Sequence, residues 1–215
     1  MINKITEFIL SNINWIGVDF VDPAASFEPS GHATRQVRVL DYACGPGTVT
    51  HAIGNRATEY IGIDLSENMV KAYNAKFSTD DPGTEKFTAH AVVGNLLEAE
   101  SPPSLAGSEF FNFDLAAVGM GFHHFEDVEL ATKRLVERLK PGGVFVIIDV
   151  LTHPKDYSNH PGAPGITHDG FSDDQIKKIF NAAGLVDVDV VQMDGQVLMK
   201  GLSPRTPFIA RGRNG

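Results

Sequence analysis

The chain has 215 residues, enough for a core that needs neither disulfides nor structural metal, and its single cysteine, Cys44, can supply no internal disulfide and no thiolate metal cluster. Its 18 basic and 27 acidic residues give a net charge of -9, which argues against a nucleic-acid partner, because such binders carry a basic footprint. No run approaches the roughly 18 apolar residues of a membrane span. The opening MINKITEFILSNINWIGVDF lacks the basic start and small-residue cleavage site of a leader, so a cytoplasmic location is expected.

Residues 1–36 read as an N-terminal helix and loop that could cap a site, and residues 37–215 as one domain. Within that domain, short apolar runs alternate with helix-period segments. Strands are expected at Val37 to Asp41, Tyr60 to Asp64, Ala89 to Val93, Phe113 to Val118 and Val144 to Asp149. Parallel strands need crossovers, so this rhythm implies a parallel sheet covered on both faces. Val128, Ala131, Leu135 and Leu139 share one face of a helix expected to stop at Pro141-Gly142-Gly143. Ser172 and Gln175 form a capping box for a helix that buries Ile176, Ile179, Phe180 and Ala183 and ends at Gly184. Val186, Val188 and Val190 alternate with Asp187 and Asp189, and Phe208 to Arg211 reads as a last, antiparallel strand. The turn signal Asp194-Gly195 leaves open a pairing of Val190 to Met193 with Val197 to Lys200. The least structured stretches are Asp22 to Gln36, Glu98 to Gly107 and Thr152 to Gly170, the last expected to be a lid beside the site.

The chemistry centres on VLDYACGPGTVT, residues 39 to 50, a strand entering a turn of small residues and then a helix. Gly45 and Gly47 lack Cβ, so backbone can pass close to a ligand, and Asp41 stands at the strand end to accept a hydrogen bond from ligand or loop. Asp64 follows Gly45 by 19 positions, near the spacing at which an acid grips ribose hydroxyls in nucleotide-binding units. A pyrophosphate cradle would carry a third small residue where Thr50 stands, and Pro46 removes a backbone donor from the loop. A nicotinamide-dependent oxidoreductase is disfavoured accordingly.

Asp41-x-Ala43-x-Gly45-x-Gly47, YIGIDLSENM, VVGNLLE, FDLAAVGMGFHHF and LKPGGVFVIID, in this order over roughly residues 37 to 185, resemble the successive motifs of class I S-adenosylmethionine (SAM)-dependent methyltransferases. They are most similar to the small-molecule branch that includes the ubiquinone and menaquinone biosynthesis methyltransferases. The resemblance implies an α/β fold with a doubly wound, mostly parallel seven-stranded sheet, Rossmann-like, with an antiparallel C-terminal strand. It implies SAM as cofactor, S-adenosylhomocysteine as product and a small-molecule acceptor, with no metal. By position, Asp41, Ala43, Cys44, Gly45 and Gly47 would lie along the methionine part. Asp64 would hold the ribose, and Leu65 and Met69 would pack on the adenine; Gly94, Asn95, Leu96, Gly119 and Met120 would complete the site. Ala43 stands where a glycine is usual. Asn95 stands where relatives have an aspartate that accepts from the adenine amino group, and its side-chain oxygen can still accept.

For the acceptor, the candidate general bases are histidines, since imidazole titrates nearest neutrality: His123 and His168 first and His124 after them, one of the adjacent pair reading as packing or capping. Trp15, Phe20, Phe122 and Tyr157 are candidate walls of an apolar acceptor pocket. A catalytically silent SAM-binding protein shares all these motifs. Acceptor, methylated atom and oligomeric state are not encoded in any motif read here.

Overall fold

The structure, a computed structural model, describes residues 2–22, 35–78, 87–98, 102–155, 165–198 and 203–215. Tyr157 and parts of the three unstructured stretches lie outside these residues. Seven strands, β1 (Arg38–Tyr42), β2 (Glu59–Asp64), β3 (Thr88–Val93), β4 (Phe113–Gly119), β5 (Leu139–Val150), β6 (Leu185–Gln192) and β7 (Pro207–Asn214), form one sheet in the order β3-β2-β1-β4-β5-β7-β6. β1 to β5 pair in parallel, and β7 runs antiparallel to both neighbours. The doubly wound, mostly parallel sheet implied by the sequence is therefore the fold. Its central strands are buried on both faces, as in β4, where Phe113 to Val118 are all buried.

Helices α1 (Ile2–Ser11), α2 (Ile13–Ile16) and α3 (Thr48–Ile53) sit on one face, where Ile5, Phe8 and Ile9 join Val39, Val49, Ile53 and Val146 in one apolar cluster. The opposite face carries α5 (Val128–Val136) and α6 (Asp173–Ala182), with Ala131, Leu135, Ile176 and Phe180 against Ala116, Phe145 and Ile147. Between them α4 (Glu67–Lys76) covers β2 and β3 through Val70 and Tyr73. No helix among the described residues is long and apolar enough to cross a membrane.

Two sequence expectations change. The fifth helix ends at Val136 rather than at Pro141, and Leu139 already belongs to β5, paired with Phe113. Arg138 explains the early stop. Its buried guanidinium donates to the Leu105 and Phe110 carbonyls and lies 4.1 Å over the Phe111 ring, so the chain leaves the helix to satisfy it. The Pro-Gly-Gly segment instead forms the irregular entry to β5, with a register shift between Phe113 and Leu115 and Gly142 at φ 75°. At the C-terminus, Val190 to Gln192 pair with Phe208 to Ala210 and not with the residues after Asp194-Gly195; only Val197 bridges Arg205 there, and Lys200 lies outside the described residues. The capping box of α6 forms as read, Gln175 N–H donating to Ser172 Oγ at 3.2 Å and Ser172 N–H to Gln175 Oε1 at 2.8 Å.

Candidate functional site

The C-terminal ends of β1, β2 and β4 open on one side of the sheet reversal, where open α/β sheets hold ligands. A cleft of ≈ 610 Å³ lies there, within the range of small-molecule sites. One wall is Tyr42, Ala43, Ile63, Asp64, Leu65, Gly94, Asn95 and Leu97; the other is Met120, Gly121, His124, Phe125, Glu126 and Asp127. Among the described residues, Asp64, Glu126 and Asp127 are the carboxylates of the lining, which holds no lysine or arginine.

The first wall is held from beneath. Asp41, buried to 1% exposure, accepts from the Thr50 hydroxyl at 2.8 Å and the Thr50 amide at 3.2 Å; Thr50 Oγ1 also lies 2.8 Å from Tyr73 Oη. This chain of bonds ties the end of β1 to the first turn of α3. Burial pushes the Asp41 carboxyl up to about 7 against the opposing pull of the Thr50 bonds. Asp41 therefore supports the turn from below and is not in the cleft lining. Thr50 is committed to it, which is why a hydroxyl residue stands at the position where a phosphate cradle needs a small one.

Asp64 is also partly committed, accepting from Gly45 N–H at 2.8 Å and from Ser66 N–H at 2.8 Å. Each oxygen keeps further acceptor capacity, and the carboxylate faces the cleft. The 19-residue separation read from the sequence is thus a direct bond between glycine turn and acid. Leu65 beside it is 73% exposed and forms an apolar shelf in the lining; Met69, 42% exposed on α4, is outside the lining.

The glycines have different reasons. A Cβ on Gly45 would meet nothing within 4 Å, so its left-handed φ of 51° and the open space beside it account for the residue. At Gly47 the reason lies in the protein: a Cβ would come 2.3 Å from the Phe77 ring, at φ 82°. Gly119 makes room for Val49, whose Cγ2 would lie 2.5 Å from an added Cβ. Cys44 is buried against Gly62, and burial holds its thiol well above the ordinary range; it packs and does not face the cleft. Leu96 is buried in the core while Leu97 lines the cleft. Ala43 and Met120, one at each wall, hold φ of 53° and 59°, a region that disfavours side chains bearing Cβ.

Asn95 acts differently from its sequence reading. Its Oδ1 already accepts from Leu97 N–H at 2.9 Å and from Tyr42 Oη at 3.2 Å. An amide N–H needs an acceptor, which fixes Oδ1 inward and leaves the Nδ2 donor as the group free for a ligand.

The second wall departs most from expectation. His124, ranked last of the three histidines from the sequence, lines the cleft, whereas His123 and His168 do not. His123 is buried beneath it, its Nδ1 2.8 and 3.0 Å from the two oxygens of fully buried Asp149. Burial pulls the His123 imidazole down, but the Asp149 charge and hydrogen bond outweigh it and the group sits above its ordinary value. His168 Nε2 is 3.0 Å from the Phe125 carbonyl. Trp15 lies far from the cleft in the fold, donating to Asp189 on β6 at 3.1 Å, and Phe122 is core. Phe125 and Glu126, adjacent to the GFHH run, and Tyr42, inside the glycine motif, were legible as neighbours of motifs but carried no signal of which way they face. Asp127 caps α5, accepting from Leu130 N–H at 2.8 Å.

Residues 40–145 match the family model described as a methyltransferase domain. The chain is similar to an uncharacterized methyltransferase of Schizosaccharomyces pombe, 28% identical over 161 residues that cover 71% of this chain and 55% of that protein. It is also similar to the ubiquinone biosynthesis O-methyltransferase of Neisseria meningitidis serogroup C, 26% identical over 162 residues, 72% of this chain and 59% of that protein. The chain thus spans a little over half the length of these curated relatives. A crystal structure of a SAM-dependent methyltransferase from Methanosarcina mazei shares the fold, with TM-score 0.63 and 15% identity over 88% of this chain and 98% of that one.

Proposed function

We propose that this chain, a relative of the class I SAM-dependent methyltransferases with resemblance to the ubiquinone and menaquinone enzymes, transfers a methyl group from SAM to a small-molecule acceptor. The observation that carries the reading is the charge of the cleft: three carboxylates, no lysine or arginine among the described lining residues, and the exposed apolar side chain of Leu65. A dinucleotide would bring two phosphates among those carboxylates. SAM brings a sulfonium and an ammonium cation, for which acids are the matching partners.

In this reading residues 37–215 hold the cofactor, with 1–36 as an N-terminal cap segment. Asp64 takes the ribose hydroxyls with its remaining acceptor capacity, Leu65 and Met69 pack on the adenine, and Asn95 Nδ2 donates to an adenine ring nitrogen. Ala43 and the open side of Gly45 leave room for the methionine part, with Gly94 and Met120 completing the wall. When bound, SAM supplies an electrophilic methyl carbon. The residues of the second wall position the acceptor behind it, which is the main contribution an enzyme makes to this chemistry, and receive any proton the acceptor loses.

The test is incubation with methyl-labelled SAM and extracted small molecules, in parallel with total RNA and protein. Label recovered in a small molecule supports the reading. Label recovered only in RNA or protein contradicts the acceptor class.

A further inference from the structure

We propose that His124 is the proton acceptor of the cleft and that His123 and Asp149 are positioning residues that keep it neutral and oriented; this rests on the methyl-transfer reading above. His124 is the histidine in the cleft lining, across from Asp64 and Asn95. Its Nδ1 lies 2.5 Å from the Gly165 carbonyl. A carbonyl only accepts, so Nδ1 carries the hydrogen and Nε2 keeps its lone pair. Position sets the other two histidines aside: neither lines the cleft, His123 lying below its surface with Nδ1 on Asp149 and His168 bonded through Nε2 to the Phe125 carbonyl.

The His123 ring lies against that of His124, with centroids 4.1 Å apart and the planes tilted by 41°. Asp149 anchors that lower ring firmly, because it also accepts from the His123 and Val150 backbone amides at 3.1 and 2.8 Å. A proton held on His123 by Asp149 disfavours a second proton on the adjacent His124. Burial and the His123 charge together hold His124 below its ordinary value, against weaker upward pulls from Gly165 and Asp149. Of the other charged groups nearby, Glu126 and Asp127 stand on the same wall, Asp64 on the facing wall, and His168 on the segment packed beside the turn. A hydroxyl or thiol acceptor gives its proton to His124 Nε2 as its oxygen or sulfur forms the bond to the methyl carbon. The carbon–sulfur electron pair stays on the leaving sulfur, and the imidazolium afterwards releases the proton to water.

The test is ¹⁵N-detected histidine ring NMR of the full chain against pH, with and without S-adenosylhomocysteine. The expected result is a His124 ring in the Nδ1–H form that titrates below an ordinary histidine, with its proton affinity raised in Asp149→Asn. The rise is less than the roughly fivefold effect of one unit charge at about 4 Å in a water-like dielectric, because the opposing Asp149 charge is lost together with that of His123. His168→Ala should leave that titration in place. An Nε2–H ring on His124, or a titration at or above the ordinary value, overturns the proposal in the wild-type protein alone, even if Asp149→Asn fails to fold. Calorimetry with S-adenosylhomocysteine on the same samples keeps the two readings apart: absent binding sinks the cofactor assignment, whereas binding with the wrong tautomer sinks only the base. With the acceptor found by label transfer, His124→Ala should lower kcat about 100-fold or more while KM for SAM moves little; unchanged kcat contradicts the role.

Discussion

The two walls of the cleft are built in opposite ways. The wall from Tyr42 to Leu97 is bonded among its own segments: Asp41 binds Thr50, Gly45 and Ser66 bind Asp64, and Tyr42 binds Asn95. The wall from Met120 to Asp127 depends on distant partners, Asp149 on β5 and Gly165 beyond it, for the orientation of its two histidines. A wall bonded within itself is set before any ligand arrives, suiting a fixed cofactor; a wall oriented from outside can change with the segments that orient it, suiting an acceptor.

The sharpest way to break this comparison is to remove the buried acid under the first wall. Asp41 sits at about 7 in the folded chain against 3.8 when free, so its stabilising contribution is complete below pH 3.8 and is lost as pH rises through about 7. Asp41→Asn should therefore gain on wild type by on the order of 4 kcal/mol in unfolding free energy between pH 4 and pH 8. Denaturant melts at both values measure it, and parallel curves for the two proteins would show that burial does not raise the Asp41 carboxyl.

Gly47→Ala should cost about 3 kcal/mol, combining a left-handed alanine with the overlap on Phe77. The same melts check it; a loss under about 1 kcal/mol would mean the ring moves aside freely. Asp64→Ala should weaken S-adenosylhomocysteine binding by about 2 kcal/mol, roughly 30-fold, through loss of a charged hydrogen-bonding partner. Unchanged affinity in calorimetry would remove Asp64 from the ribose. Smallest of all, Ala43→Gly should stabilise the chain by about 1 kcal/mol by relieving the positive φ, and a destabilised variant would show that the methyl group's packing outweighs the strain.

The same contrast decides how much could be read beforehand. The parallel strands and the glycine turn show as patterns within a few residues, so Asp41, Gly45 and Asp64 were found, although the sequence could not say that Asp41 faces down and Asp64 faces the cleft. Leu96 and Leu97 differ by one position and are both apolar; only the packing tells core from lining. The helix expected to reach Pro141 failed because the burial of Arg138 is a tertiary fact with no periodic signature. His123 and His124 are chemically identical neighbours, and their roles divide on an aspartate 26 positions from His123. Nothing local distinguishes them.

The most direct test of the central claim is calorimetric titration of the unaltered chain with S-adenosylhomocysteine and, separately, with NAD. A cleft of carboxylates with an apolar shelf predicts saturable binding of the first and none of the second. Saturable binding of NAD with no response to S-adenosylhomocysteine would contradict it.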